Sequence, residues 1–261
     1  MTPMPIQRVR SKLAKTKPLV GDPVLHEFVP DTRAFNRGNV QQMLDKYEMI
    51  YVKPVRGTFG KGVIRVKKKG RASRPYRFQS GLRKYRFGSF DYMYRKLLAL
   101  KQRKAYLTQQ GIHLLKHGGR RFDLRIMVQK NPRSFWETTG IIGRLAHPGK
   151  VVTNYHSGGT PLPIDKLLSN HMSSEEILDF QKQLQTLGVN VAKVLEKRFP
   201  RLKEIGVDAA IDQNKKLWIL EVNTLPDPFL FRKLRNPDIF RRMYAYAVSY
   251  GRFPIKRRRK M

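Results

Sequence analysis

Apolar residues recur along this chain at two spacings, and the spacings divide it into strands and helices. Apolar runs over 49–53 and 62–67 predict two strands, the first stopped by Pro54. Residues 76–79 and 84–87 suit a hairpin around Ser80-Gly81. Between 89 and 103 the period changes, and Phe90, Met93, Leu97 and Leu100 fall on one helical stripe. A short strand at 106–109 follows, then a strand pair at 122–129 and 136–146 across Asn131-Pro132. Residues 147–163 form a loop rich in glycine and proline. A long helix is predicted over 174–199. Ser173 and Glu176 have the spacing of a capping box, Ile177, Phe180, Leu184, Leu187, Val191 and Val194 mark its core face, and Pro200 ends it. Strands at 207–211 and 217–222 and a helix over 237–251, capped by Asn236, complete the pattern. A short helix at 39–47 precedes the first strand. Residues 1–30 are basic, contain proline and show little periodicity, so they read as an extended arm. Residues 256–260 are a solvated basic run. Strands in antiparallel pairs with helices between them predict an α+β fold.

The last strand pair carries the first candidate chemistry. A two-residue turn at Asn214-Lys215 puts Asp208 directly opposite Glu221, with Cβ atoms roughly 4.5–5.5 Å apart. Asn223 lies two residues beyond Glu221 and projects to the same face. Two opposed carboxylates are unfavourable without compensation. A divalent cation would supply it, and two carboxylates with an amide oxygen suit Mg²⁺. A lysine or arginine would supply it as well, and a shifted turn would undo the register.

The second candidate is a loop. Lys53 ends an apolar strand, and Gly57-Thr58-Phe59-Gly60-Lys61-Gly62 lies just beyond it. Glycines let backbone N–H groups approach phosphate oxygens, and a neighbouring lysine adds a point charge. The spacing is not that of a Walker A loop, because no Ser or Thr follows a Gly-Lys. An ordinary hairpin loop has the same composition.

Composition narrows the classes. The 261 residues are 40% hydrophobic, enough for one large domain or two lobes sharing a core. Cysteine is absent, which excludes disulfides, thiolate catalysis and Cys-ligated metals. No apolar run approaches the roughly 20 residues of a bilayer span. Residues 1–17 lack the apolar stretch of a secretory signal. The expectation is a cytoplasmic protein with no membrane span. The net charge of +35, from 54 Lys and Arg against 19 acids, adds attraction for polyanions. Nucleic acid would be bound nonspecifically, and anionic polymers or acidic peptides become candidate partners.

The loop and the carboxylates, about 150 residues apart, together resemble the ATP-grasp superfamily, and most closely its YheC/YheD branch of endospore coat-associated proteins. The resemblance is carried by Tyr51-Val52-Lys53-Pro54 with the glycine loop; by Gln109-Gln110-Gly111-Ile112; by Arg121-Phe122-Asp123-Leu124-Arg125; by Asn154 with Gly158-Gly159; and by Gly206-Val207-Asp208 with Leu220-Glu221-Val222-Asn223. These segments occur in family order over about residues 12–235.

The resemblance implies an ATP-grasp fold in which two lobes of mostly antiparallel sheet with helices clamp a nucleotide. The smaller lobe would span 45–110 and the larger 111–235. A basic arm with a short helix (1–44) and a helix with a basic tail (236–261) would flank them. It implies Lys53 on the α/β-phosphates of ATP and residues Gly57, Thr58, Phe59, Gly60, Lys61 and Gly62 closing over the triphosphate. Gln109, Gln110, Gly111 and Ile112 would read the adenine edge through their backbone. Asp208, Glu221 and Asn223 would hold one or two Mg²⁺. Arg125 and Asn154, and more weakly Arg144, match positions near the γ-phosphate or acyl-phosphate. A second phosphate lysine usually comes from nearer the N-terminus, and Lys12, Lys15 and Lys17 are open alternatives. His156, beside Asn154, is open between a general base and an exposed loop histidine.

The implied reaction is that of an ADP-forming ligase joining a carboxylate to an amine or similar nucleophile through an acyl-phosphate. The alternatives are a non-catalytic nucleotide-binding protein of the spore coat and a polyanion binder on the same fold. Spore association is implied by the branch alone. Only about 50 residues precede Lys53, so the separate N-terminal lobe that helps form the acceptor site in family ligases is expected to be missing. Substrate binding would then fall to the cleft, the 147–163 loop or another protein.

Overall fold

The computed structural model describes residues 5–70 and 72–254, whose strands form two antiparallel sheets. The first holds β1 (Thr32–Ala34), β2 (Met49–Pro54), β3 (Ile64–Lys68), β4 (Tyr76–Ser80), β5 (Arg83–Phe87) and β6 (Tyr106–Gln110), in the order β1-β6-β2-β3-β4-β5. The second holds β8 (Arg120–Lys130), β9 (Trp136–Leu145), β10 (Thr160–Leu162), β11 (Glu204–Ile211) and β12 (Leu217–Asn223), in the order β10-β9-β8-β11-β12, and the short β7 (Lys116–His117) pairs with β8. The helices are α1 (Lys12–Val20), α2 (Arg37–Tyr47), α3 (Phe90–Leu100), α4 (Ile164–Leu168), α5 (Ser174–Arg198) and α6 (Pro237–Ser249).

Period-2 alternation gives each sheet two unlike faces. In the first, Ile50, Val52, Ile64, Val66 and Phe78 pack on Val40, Met43 and Leu44 of α2 and on Phe90, Met93 and Leu97 of α3. In the second, Leu124, Ile126, Val128, Val207 and Ala209 pack on the apolar stripe of α5. Both limbs of the predicted capping box are made, Ser173 Oγ to Glu176 N and the Glu176 carboxylate to Ser173 N. The helix comes so close to the sheet that a Cβ at Gly188 would lie 2.8 Å from Val128 Cγ2. The other face of this sheet is divided. Met127 and Ile142 are covered by Leu230, Phe231 and Met243, and the remainder carries charged side chains.

The expected extended arm is a correction. Residues 12–20 form α1, which packs against α5 and β12. Its sequence hides the helix because it is nine residues long, basic and interrupted by Pro18. Isolated helices shorter than about 12–15 residues are marginal, so tertiary burial of Leu19 decides the matter. The expected 147–163 loop contains a single 3₁₀ turn (Tyr155–Ser157) and β10. The predicted helix at 89–103 stops at Leu100. The basic run at 256–260 lies outside the described residues.

Both ends of the described chain meet at one buried carboxylate. Glu204 on β11 is fully buried, pairs with Arg8 at 2.7 Å and Arg252 at 2.6 Å, and accepts from the Tyr250 hydroxyl at 2.8 Å. Removing one partner of a buried pair leaves uncompensated charge. Glu204→Gln is expected to cost about 3–5 kcal/mol of stability by urea unfolding. A loss below about 1 kcal/mol, the worth of a surface pair, would show that this carboxylate does not hold the termini.

Candidate functional site

The charged half of the second sheet is two adjacent rows that together span four strands. Arg144 on β9 stands opposite Asp123 on β8; Arg125, two residues on, stands opposite Asp208 on β11; and Asp208 stands opposite Glu221 on β12. Arg144 grips Asp123 with two hydrogen bonds of 2.8 and 2.6 Å, and Thr153 Oγ1 donates to the same carboxylate at 2.6 Å. Arg125 Nε donates to Asp208 Oδ1 at 2.6 Å, and Arg144 reaches Asp208 Oδ2 at 3.1 Å. Burial alone would push the Asp208 carboxyl up. Arg125 and then Arg144 outweigh it and hold the group below the usual carboxylate range. Burial likewise opposes charge on Arg144, while Asp123 and Asp208 raise its pKa overall.

The expected opposition of Asp208 and Glu221 is present, but not for the expected reason. The turn is longer: Asp212 N donates to Lys216 O at 3.0 Å, and Lys215 takes a left-handed φ of 62°. A bulge between Asp208 and Ala209 leaves Leu220 as an extra residue on β12. The longer turn and the bulge offset each other. The pair is also compensated by cations: both Asp208 oxygens meet guanidinium groups, and Glu221 pairs with Lys12 Nζ at 3.2 Å. Among the described residues no three His, Asp or Glu gather as a metal cluster. A metal at this place would use the mixed set Asp208, Glu221 and Asn223, whose oxygen donors suit Mg²⁺.

Facing these rows across a cleft is the small lobe. Lys53 Nζ donates to Gln109 Oε1 at 2.5 Å, and Gln109 donates to Thr32 Oγ1 at 3.1 Å. Desolvation lowers the Lys53 pKa to about 8, opposed by Glu221 and reinforced by Lys12. The glycine loop turns through Phe59, Gly60 and Gly62 at φ 59°, 70° and 76°. It bridges to the large lobe: the Phe59 ring lies 4.2 Å from that of His156, and Ser157 Oγ donates to Phe59 O at 2.8 Å. A Cβ at Gly60 would come within 3.0 Å of Asn154 Oδ1. Lys12 Nζ also donates to Gly57 O at 3.0 Å, so one lysine ties α1, the loop and Glu221 together. Of the three N-terminal candidates, Lys12 lines the cleft, Lys15 is buried on the same helix with its pKa lowered by burial, and Lys17 stays outside the lining.

The structure therefore brings Lys53, Gly57, Thr58, Phe59, Gly60, Lys61, Gln109, Gln110, Ile112, Arg125, Arg144, Asn154, Asp208, Glu221 and Asn223 to one cleft. Gly62 and Gly111 do not line it. They shape its backbone, since a Cβ would meet Tyr106 Oη at 2.9 Å in one case and Met49 O at 2.7 Å in the other. Asp123 and Leu220, which the sequence places only within family segments, and Thr153, Leu225 and Asp227 line the cleft with no role assigned from the sequence. The signal for Asp123 was present, because it precedes Arg125 by two residues on a strand and so shares its face.

The family described as "YheC/D like ATP-grasp" matches residues 4–253. The chain belongs to that family. It is similar to the endospore coat-associated protein YheD of Bacillus subtilis (strain 168), 25% identical over 224 residues that cover 80% of this chain and 47% of YheD. YheC of the same organism is 23% identical over 208 residues, covering 78% and 56%. The chain thus spans about half the length of the curated relatives it matches. Among solved structures it resembles D-cycloserine synthetase DcsG (TM-score 0.55, 14% identity, 92% of this chain and 70% of that one). It also resembles the D-alanine-D-alanine ligase from Coxiella burnetii (TM-score 0.52, 15% identity, 93% and 57%). These likenesses show the ATP-grasp fold, in agreement with the expected α+β architecture of two antiparallel lobes. Among the described residues no helix is long and apolar enough to cross a membrane.

Burial of the Lys53 ammonium in the cleft works against the fold at neutral pH. Its folded-state pKa of about 8 lies below the ordinary 10.5, so between those values the unfolded chain binds more protons and stability rises with pH. Lys53→Met is expected to raise the melting temperature of the ligand-free protein at pH 7, with the advantage fading as pH rises from about 8 and gone by about 10.5. A lower melting temperature for the variant at pH 7 would show that the ammonium is not held at a cost.

Proposed function

We propose that the cleft binds Mg-ATP and serves an ADP-forming ligase that joins a carboxylate to an amine or similar nucleophile. The observation that carries this reading is the buried set Arg144, Asp123, Arg125 and Asp208, with the half-buried Glu221 beside it, facing Lys53 and the glycine loop across one cleft. Ile112, Leu114 and Leu220 supply an apolar wall for a base beside the backbone of residues 109–112. Lys53 and the loop N–H groups would hold the phosphates. Asp208, Glu221 and Asn223 would hold Mg²⁺; each carboxylate oxygen has a second lone pair beyond the one its cation takes. When bound, the metal neutralises charge on the phosphate oxygens.

The substrate carboxylate attacks the γ-phosphorus, forming an O–P bond as the β–γ bridge breaks and ADP leaves. The nucleophile then displaces phosphate from the acyl carbon and gives up a proton. Arg125 and Arg144 are fixed before reaction by Asp123 and Asp208. Donors held in this way need no reorganisation as charge builds on the transferred group. Asn154 lies at the loop contact where it would meet the same group. The Phe59–His156 contact would shield the acyl-phosphate from water.

The names of the curated relatives, endospore coat-associated proteins, leave open a second reading, a nucleotide-binding protein of the spore coat without turnover. Two measurements separate the readings. Mg-ATP at 100 times its Kd should stabilise the protein by about 2.7 kcal/mol, read as a thermal shift that Glu221→Gln abolishes. No shift at millimolar Mg-ATP sinks both. ADP and phosphate released only when a carboxylate and an amine are both supplied identifies the ligase, and a shift without release under any such pair identifies the scaffold.

A further inference from the structure

The cleft-facing side of the first sheet continues past Tyr51 and Lys53 into a field of cations. Lys67 on β3 stands opposite Arg77 on β4, and Arg77 stands opposite Arg86 on β5. One row along, Tyr51 stands opposite Arg65, Arg65 opposite Gln79, and Gln79 opposite Lys84. From the large lobe, Arg121 on β8 and its cross-strand partner Lys116 on β7 face the same region. Desolvation and then Arg121 lower the pKa of Arg65. Desolvation, Arg65, Arg121 and Lys116 do the same to Lys67, with Glu48 opposing.

Like charges directly opposite on neighbouring strands are destabilising. The bland account is a solvated basic surface on a very basic protein. It fails on burial, because Arg65, Lys67, Arg77 and Arg121 are only half-exposed. Among the described residues none of the seven cations has a carboxylate within ion-pair distance. Arg65 Nη1 and Arg77 Nε are buried with no hydrogen-bond partner. The face is also positioned: Arg65 Nη2 donates to Gln79 Oε1 at 2.9 Å, and Gln79 Nε2 donates across the lobes to Gly149 O at 2.5 Å. Half-buried, converging cations without a carboxylate partner call for an anion that arrives from outside.

We propose that this face is a track for an acidic peptide chain, whose carboxylates pair with Lys67, Arg77, Arg65 and Arg121 while one end reaches the cleft past Tyr51. Carboxylates are favoured over single-stranded nucleic acid because base recognition needs aromatic platforms. Beyond Tyr51, the positions named in these two rows are cationic or amide, and His113 beside Lys67 and Arg121 adds a single ring rather than a series of platforms. The track itself stands on charge and packing. Its role as the acceptor route of a ligase rests on the reading given above.

Fluorescein-labelled octaglutamate and octathymidylate, titrated by anisotropy at about 0.1 M salt, test it. Arg65→Gln combined with Arg77→Gln should weaken octaglutamate binding by about tenfold or more. The same double variant should keep the Mg-ATP thermal shift and melt no lower than the parent, because it removes repulsion. Lys193→Gln combined with Lys197→Gln, both exposed on α5, should change affinity by less than about twofold. Three results overturn the proposal: equal losses in the two double variants, a lowered melting temperature in the first, or tighter octathymidylate binding that the first variant abolishes. Failure of the nucleotide reading is distinct, since it leaves the parent protein without a Mg-ATP shift whatever octaglutamate does.

Discussion

Charge buried in a sheet must be paired within it, and that constraint organises this molecule. Asp123, Arg125, Arg144 and Asp208 are each almost wholly buried on β8, β9 and β11. None is tolerable alone, because an isolated buried ion costs several kcal/mol or more. Alternating signs across the strands solve the problem and fix the side chains at once. The same pairing that makes the sheet stable leaves two guanidinium groups aimed into a cleft with little freedom to move. Stability and preorganisation here have one cause.

The rest of the fold is arranged so that these charged rows have something to face. Each sheet hides one side under helices and turns the other inward. In the small lobe the hidden side packs on α2 and α3, and in the large lobe it packs on α5. The inward sides meet at the interlobe segment, where Gly111 lets the chain pass Met49 within van der Waals limits. The glycine loop and the 147–163 segment close one side through Phe59 and His156. α1 closes another by bringing Lys12 to Glu221. The segment before α1 is in turn tied down at Glu204 through Arg8, so a structural ion pair at one end of β11 helps place a lysine in the cleft.

The positive charge is unevenly used. Part of it neutralises the few acids, as at Asp123, Asp208 and Glu204. Part is gathered on the inward face of β3, β4 and β5, where among the described residues no acid comes within ion-pair distance and Glu48 alone opposes the field at Lys67. A protein needing charge only for solubility would keep such groups on long, solvated side chains. Their partial burial beside the cleft ties the unusual composition to the site.

The sequence alone determined the elements whose periodicity is long or whose ends are marked. α5 with its capping box, the paired strands and the shared face of Glu221 and Asn223 follow from spacing, because side-chain direction along a strand or helix is a local property. The ordered segments around Lys53, Asp123 and Asp208 made the family legible. α1 and the short strands β1, β7 and β10 were not legible, since elements of so few residues draw their stability from what they pack against. The register of β11 and β12 shows the limit most clearly. The opposition of Asp208 and Glu221 was inferred from a turn that is not there, and a bulge at Leu220 restored it. Which cation meets which carboxylate was likewise decided only by the tertiary structure. Arg144, Asp123, Lys12 and Glu221 come from distant parts of the chain, and only the folded sheet brings them within bonding distance.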